Sequence, residues 1–330
     1  MADRVIRPYA IADLKRGRKV GGHQILEVYP EGRGGMARVV RAMLSGNSGQ
    51  DIALKISRMG PNQDYFFAAI QKEVETLQKL DSPGVVALRA ISEGKNQYKE
   101  RAVEIIGNPW FFGMECLRGG SLESFIREIG PLSLSEAAAI CRLVGAGLEH
   151  VHSRGFAHND VKPDNVLFRR QLVVGDRFEP VLIDFGVAAK LVRHQLDGSV
   201  VYMAPERLQE SREPSAPELA EGVDPTKADV WSMGILLYRM LAGREPFLGL
   251  TDRSITSAIM RAIPPPITSK RKDLPRELDE FIIEGCLAKD PRLRASMAQF
   301  DRVIGRYTQD FRVTRVPRRR RRFLVWRLGA

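Results

Sequence analysis

The sequence predicts an α+β fold with a small β-rich lobe, built around one main helix, followed by a larger helical lobe. Three observations carry this. Segments with strand character crowd into the first third of the chain, at 24–28, 39–44, 51–56, 85–91 and 110–116, each bounded by turn-forming residues. A single helical stripe lies among them, where Phe66, Phe67, Ile70, Val74, Leu77 and Leu80 recur with a period near 3.6. Leu117-Arg118-Gly119-Gly120-Ser121 then breaks the pattern, and beyond it the apolar residues recur mostly at helical spacing.

Composition sets the outer bounds. The 330 residues, 44% of them hydrophobic, suffice for a sizeable core and one or two domains. Cys116, Cys141 and Cys286 are too few and too scattered for a disulfide framework or a metal cluster, which points to a reducing, cytoplasmic setting. Neither a signal-type apolar segment nor a spanning run of about 18 apolar residues is present. The formal net charge is +11, but eight arginines lie between Phe311 and Ala330, so the rest carries 11 − 8 = +3. A body so mildly basic gives no reason to expect specific nucleic-acid binding.

Residues 1–21 read as a basic N-terminal arm, flexible or loosely docked. The strand at 24–28 leads into Glu31-Gly32-Arg33-Gly34-Gly35-Met36-Ala37-Arg38-Val39, whose glycines permit a sharp turn and close approach to a phosphate. Alone, this is equally an ordinary hairpin tip. The strand-loop-strand setting excludes a dinucleotide fingerprint or a Walker loop, which both require a following helix. Ile52-Ala53-Leu54-Lys55 puts a lysine in an apolar strand, where it must snorkel or find a partner. Glu73 lies on the inward stripe of the 65–80 helix, and Glu75 faces about 200° away, so Glu73 is the expected partner. Residues 93–108, between the strands at 85–91 and 110–116, read as an exposed polar loop.

In the helical half, Ser133 and Glu136 form a capping-box signature ahead of a helix over 137–152. His158-Asn159-Asp160-Val161-Lys162-Pro163-Asp164-Asn165 follows, with a carboxylate, an ammonium and a carboxamide within six residues. A polar surface loop is the bland reading. The chemical reading is phosphoryl transfer: Asp160 accepts a hydroxyl proton, Lys162 holds a phosphate oxygen and Asn165 offers a carbonyl oxygen to a hard cation. Leu172–Val174 and Pro180–Ile183 suggest a short hairpin, after which Asp184-Phe185-Gly186 supplies a second carboxylate. Ala204-Pro205-Glu206, a Pro- and Glu-rich insert at 208–225, an apolar helix opening at Asp229-Val230-Trp231, and helices at 278–288 and 296–307 complete the chain.

Taken in order, the Gly-rich hairpin, strand lysine, helix glutamate, H-x-D-x-K-x-x-N loop, Asp-Phe-Gly and Ala-Pro-Glu resemble the protein-kinase signature set. The chain resembles the eukaryotic-like Ser/Thr protein kinases of bacteria (Hanks-type) over about 22–308. That resemblance implies a two-lobed kinase domain with an N-lobe at 22–115, a hinge at 115–120 and a C-lobe at 121–308. It implies ATP and Mg²⁺ as cofactors and a protein substrate. It also implies roles: Lys55, Glu73, Asp160 and Lys162 in catalysis; Gly32, Gly34, Val39, Ala53, Lys55, Met114, Glu115, Leu117 and Leu167 around the nucleotide; Asn165 and Asp184 on the metal. Leu77, Leu88, His158 and Phe185 match a packed stack that links the lobes, and Glu206 and Arg294 match a buried ion pair. Lys162 two residues after Asp160, and Ser199 in Gly198-Ser199, match the Ser/Thr form. A small-molecule kinase and a kinase-like docking scaffold are the competing readings; Ala-Pro-Glu and Gly-Ser argue against the first, and intact Lys55, Asp160 and Asp184 against the second.

Two departures stand out. Ala37 replaces the third glycine of the loop, and alanine disfavours positive φ. Asn159 replaces the arginine that in the family commonly grips an activation-segment phosphate, and a neutral carboxamide cannot form that charge-assisted pair. Activity independent of activation-segment phosphorylation is the expectation. The tail, 309–330, joins five consecutive arginines to Phe323-Leu324-Val325-Trp326, and its 312–327 stretch suits an anionic membrane surface or an acidic partner. The expected location is thus cytoplasmic, peripheral at the inner membrane face; a solvated tail is the bland alternative.

Overall fold

The computed structural model describes residues 8–30, 37–43, 51–93, 96–186, 200–212 and 223–317. They fall into two compact units, 8–81 with 86–117, and 82–85 with 118–317.

The first unit is an antiparallel sheet with one long helix. Its strands are β1 (Lys19–Val20), β2 (His23–Val28), β3 (Ala37–Met43), β4 (Asp51–Ser57), β5 (Leu88–Arg89), β6 (Lys99–Arg101) and β7 (Trp110–Met114), ordered β1-β2-β3-β4-β7-β5 with β6 also on β7. The central strand β4 is buried at every position after Asp51, which is why Ile52 to Ile56 reads as an apolar run interrupted only by Lys55. Leu54 and Ile56 of this strand, Val40 of β3 and Phe111 of β7 are fully buried. Helix α1 (Gln63–Leu77) buries Ile70, Glu73, Val74 and Leu77, an i, i+3, i+4, i+7 stripe, while Glu75 is exposed.

Three expectations for this unit need correction. The N-terminal arm is docked from Tyr9 on: Tyr9 bridges Ile105, Leu14 is buried and β1 extends the sheet. The 93–108 segment is not simply an exposed loop, because β6 pairs with β7 and Ala102, Glu104 and Ile105 are buried. Glu104 accepts backbone N–H bonds from Gly21 and Gly22 at 3.0 and 2.9 Å, tying the arm to this segment. The expected strand at 85–91 shrinks to two residues. Ala87 leaves the ladder because its carbonyl takes the Glu115 N–H, while its own N–H goes to the Glu115 carboxylate.

The second unit is mostly helical. Helix α2 (Leu122–Ile129), unforeseen in the sequence, is capped by Ser121. Helix α3 (Leu134–Ser153) opens on the Ser133–Glu136 capping box. Gly147 sits mid-helix because a Cβ there would lie 2.9 Å from the Gly84 carbonyl oxygen. Then come β8 (Val166–Phe168), β9 (Pro180–Leu182), α4 (Pro205–Arg212), α5 (Lys227–Ala242), α6 (Asp252–Arg261), α7 (Arg276–Glu280) and α8 (Met297–Gly305). The hairpin is therefore β8 with β9, not 172–174 with 180–183. Val173 and Val174 carry strand propensity but are exposed, so no core rewards them with pairing. The expected helix at 278–288 continues from α7 as a π-helical segment, Phe281–Cys286, with Leu287 N–H bonded to Ile282 O.

The start of the tail is not solvated. Val313 is buried, its N–H reaches Asp176 O, and Phe311 packs between the guanidinium groups of Arg142 and Arg177. Thr314 and Arg315 engage Glu136 of α3. The arginine run 318–322 and Phe323-Leu324-Val325-Trp326 lie outside the described residues. Among the described residues, no helix is long and apolar enough to cross a membrane.

Candidate functional site

In the first unit, strand pairing and helix periodicity bring Lys55 and Glu73 together. β4 holds Lys55 opposite Val39 on one side and Phe112 on the other. Its Nζ donates to both Glu73 carboxylate oxygens at 2.8 and 2.7 Å. With Lys55 9% and Glu73 2% exposed, the pair is largely withdrawn from water, where neither charge is tolerated without the other. Ala53 faces Met114 across β4 and β7, and Ala53, Met114, Glu115 and Leu117 are all buried. Val39 is half-buried. Ala37 lies in extended strand opposite Ser57, so positive φ is not required of it. Gly32 and Gly34 lie outside the described residues.

In the second unit, the 158–165 loop closes into a polar cluster. Lys162 Nζ donates to Asp160 Oδ1 and Oδ2 at 3.0 and 2.8 Å. Asn165 Nδ2 donates to the Asp160 carbonyl at 2.8 Å and to its Oδ2 at 2.7 Å. Burial raises the Asp160 pKa, the Lys162 ammonium opposes that rise, and the Asp184 carboxylate adds to it, so the net direction is upward. For Lys162, burial alone would lower the pKa; the Asp160 carboxylate overrides it, and the ammonium stays charged. Asp184 holds a left-handed backbone, φ 66°, uncommon for a residue with a Cβ. Leu167 is buried in β8, opposite Val181 of β9.

His158 is held by packing and hydrogen bonds. It is fully buried, packs against Phe185 at 4.6 Å between ring centroids, donates Nε2–H to Ile183 O at 3.0 Å and accepts the Asp160 N–H at Nδ1. Leu77 and Leu88 belong to the first unit. Arg294 and Glu206 form the anticipated bidentate pair, both contacts 2.6 Å, with the Arg294 side chain wholly buried.

Sequence reasoning missed the residue that fastens this loop. Asp229, fully buried in the first turn of α5, accepts the N–H of Asn159 at 2.7 Å and of His158 at 2.9 Å, and pairs with His152 Nε2 at 2.8 Å. The available signal was an acid opening an otherwise apolar helix. Asn159 takes a left-handed backbone, φ 63°, and its buried side-chain amide oxygen has no hydrogen-bond partner among the described residues. Ser199 lies outside the described residues.

The model of the protein kinase domain family matches residues 29–302, and the chain belongs to that family. It is similar to the serine/threonine-protein kinase PknE of Mycobacterium tuberculosis, 30% identical over 290 residues, covering 86% of this chain and 45% of PknE. It is similar also to the serine/threonine-protein kinase PrkC of Bacillus subtilis, at 28% over 295 residues, covering 86% of this chain and 40% of PrkC. The chain thus spans under half the length of these relatives. Among solved structures, Rad53 1-466 in complex with AMP-PNP superposes with a TM-score of 0.61 at 26% identity, covering 82% of this chain and 62% of the other. The two-lobed α+β kinase fold is therefore the fold of this protein.

Proposed function

We propose that the chain is an ATP- and Mg²⁺-dependent serine/threonine protein kinase whose catalytic domain spans about 22–308. The single observation that carries the reading is the Asp160 carboxylate, raised in basicity by burial and fixed between the Lys162 ammonium and the Asn165 amide. That arrangement suits a base that takes the proton of a substrate hydroxyl. Lys162 then lies beside the oxygen being phosphorylated and neutralises the charge that grows there. Lys55, oriented by Glu73, grips the nucleotide's phosphates. Gly32 and Gly34 cover them, and Val39, Ala53, Met114, Glu115, Leu117 and Leu167 enclose the base. Asn165 commits its amide nitrogen to Asp160, which leaves its side-chain carbonyl oxygen free to hold, with the Asp184 carboxylate, a hard cation. Two oxygen donors of this kind suit Mg²⁺, which bound there would neutralise phosphate charge.

Asn159 supports the further reading that activity does not depend on a phosphate in the activation segment. Its backbone is held by Asp229, and its side chain brings no charge with which to grip a phosphate. Ser199 would orient the acceptor hydroxyl. The 312–327 stretch would meet an anionic membrane surface or an acidic partner, placing a cytoplasmic enzyme at the inner membrane face. The test is transfer of label from ATP to protein substrates, against Asp160→Asn. Equal labelling by the two proteins would refute the kinase reading, and loss of activity after removal of a stoichiometric activation-segment phosphate would refute the regulatory one.

A further inference from the structure

The second unit carries a solvent-open concavity of about 660 Å³ that none of the kinase residues above, apart from Arg294, lines. Its walls come from the π-helical segment 281–286, the 292–295 loop and one face of α8. Lys227, Arg292, Arg294, Arg302 and Arg306 line it, and among the described residues no acidic one does. Glu206 neutralises Arg294 and Asp290 neutralises Arg292, so the set keeps a charge of 5 − 2 = +3.

That surplus sits on Lys227, which is committed to backbone carbonyls, and on Arg302 and Arg306. Among the described residues neither arginine has an acidic partner within ion-pairing distance, whereas Arg142, Arg239 and Arg271 of the same unit all do. Arg302, in the last turn of α8, and Arg306, the helical-conformation residue that caps it, are four residues apart and both exposed, so they share a face. Like charges in that register repel, and an anion between them turns repulsion into attraction. Arginine also supplies a planar fork of donors that matches phosphate oxygens.

The walls are fixed before any ligand arrives. Lys227 Nζ clamps the carbonyls of Arg294 and Ala295 at 2.7 and 3.2 Å, and Ala295 N–H bonds Gly285 O at 2.7 Å. The buried Arg294 guanidinium, locked on Glu206, forms a rigid floor. The π-helical turn widens the wall, and the missing side chain of Gly285 matters too: a Cβ there would meet the Phe281 ring at 2.9 Å. Irregular turns of this kind recur at functional sites.

We propose that this concavity binds a phosphate group, with Arg302 and Arg306 as the principal contacts and Arg292 at the rim. The ligand chemistry is a phosphomonoester or a short polyphosphate. The proposal is independent of the transferase reading.

Isothermal titration calorimetry tests it with two probes, inorganic tripolyphosphate and a short phosphoserine peptide with its unphosphorylated twin. Each is titrated into the full chain and into Arg302→Gln/Arg306→Gln. Only binding lost in the double variant reports this concavity. The expected result is at least about tenfold weaker binding for each guanidinium removed, with wild-type affinity falling as salt rises. Loss confined to the tripolyphosphate arm assigns a small polyphosphate as the ligand; loss confined to the phosphopeptide arm assigns a modified protein segment. Either supports the site. Unchanged affinity for both probes in the variant overturns it, as does the absence of binding by either. The variant should melt close to the wild-type temperature, because relief of a like-charge pair offsets the loss of two cations at the C-terminal end of α8; if it does not fold, Arg306→Gln alone gives the same reading.

Discussion

Asp229→Asn is the most informative single substitution. The carboxylate accepts three hydrogen bonds at full burial: one at Oδ1 from Asn159 N–H, and two at Oδ2 from His158 N–H and His152 Nε2. A carboxamide has one acceptor side and one donor side. With its oxygen at the Oδ1 position it serves Asn159, and its NH₂ can meet His152 in the other tautomer, but His158 N–H is orphaned. In the opposite flip, Asn159 N–H is orphaned. Either way one buried backbone donor goes unmet, which costs about 1–3 kcal/mol, and the remaining bonds lose their charge assistance. The sum is about 3 kcal/mol. At about 2 °C per kcal/mol for a chain of this size, the melting temperature should fall by about 6 °C. The released loop carries Asp160, so turnover should fall more than nucleotide affinity does. Calorimetry of the melt, paired with initial rates and nucleotide titration, reads both. A variant that melts within about 1 °C of wild type and keeps its turnover would refute the idea that Asp229 holds the loop.

Other outcomes follow from the same geometry. Lys55→Met strands the Glu73 carboxylate in the core; turnover should drop about 10²–10³-fold, and unfolding should become easier by about 3–5 kcal/mol, read by rate assays and denaturant titration. Asp160→Asn should cost about 10²–10⁴-fold in turnover. Because burial raises the Asp160 pKa, the wild-type acid limb should lie above the ordinary carboxylate range, since the base works only when deprotonated. The linked effect on stability has the opposite sense: a raised acid favours the native state when protonated, so its contribution is lost as pH climbs through that shifted pKa. A pH–rate profile and melts taken upward in pH from the ordinary carboxylate range check both. Truncation after Thr308 removes buried Val313 and the contacts to Glu136, and should destabilise by about 2 kcal/mol or more. Truncation after Pro317 should abolish cosedimentation with anionic vesicles.

Much of the site was legible because its residues are near neighbours in sequence or are fixed by a simple period. Asp160, Lys162 and Asn165 meet within one loop, and Glu73 is selected over Glu75 by helix geometry alone. The Ser133 capping box was readable for the same reason, since its partners lie three residues apart. The β8–β9 pairing was misread because propensity favoured Val173 and Val174, whereas burial, a long-range property, selected Val166–Phe168. Local order in the chain therefore determined the kinase family, the polar 158–165 loop and the lysine–glutamate pair. Only the tertiary structure decided that Asp229 anchors the loop from about 70 residues away, that Glu104 pins the N-terminal arm, and that Val313 docks the start of the tail. Each of these is a group whose partner is distant in sequence, and burial makes the partner obligatory: a buried carboxylate must find donors wherever the fold brings them, and no local pattern says where that will be.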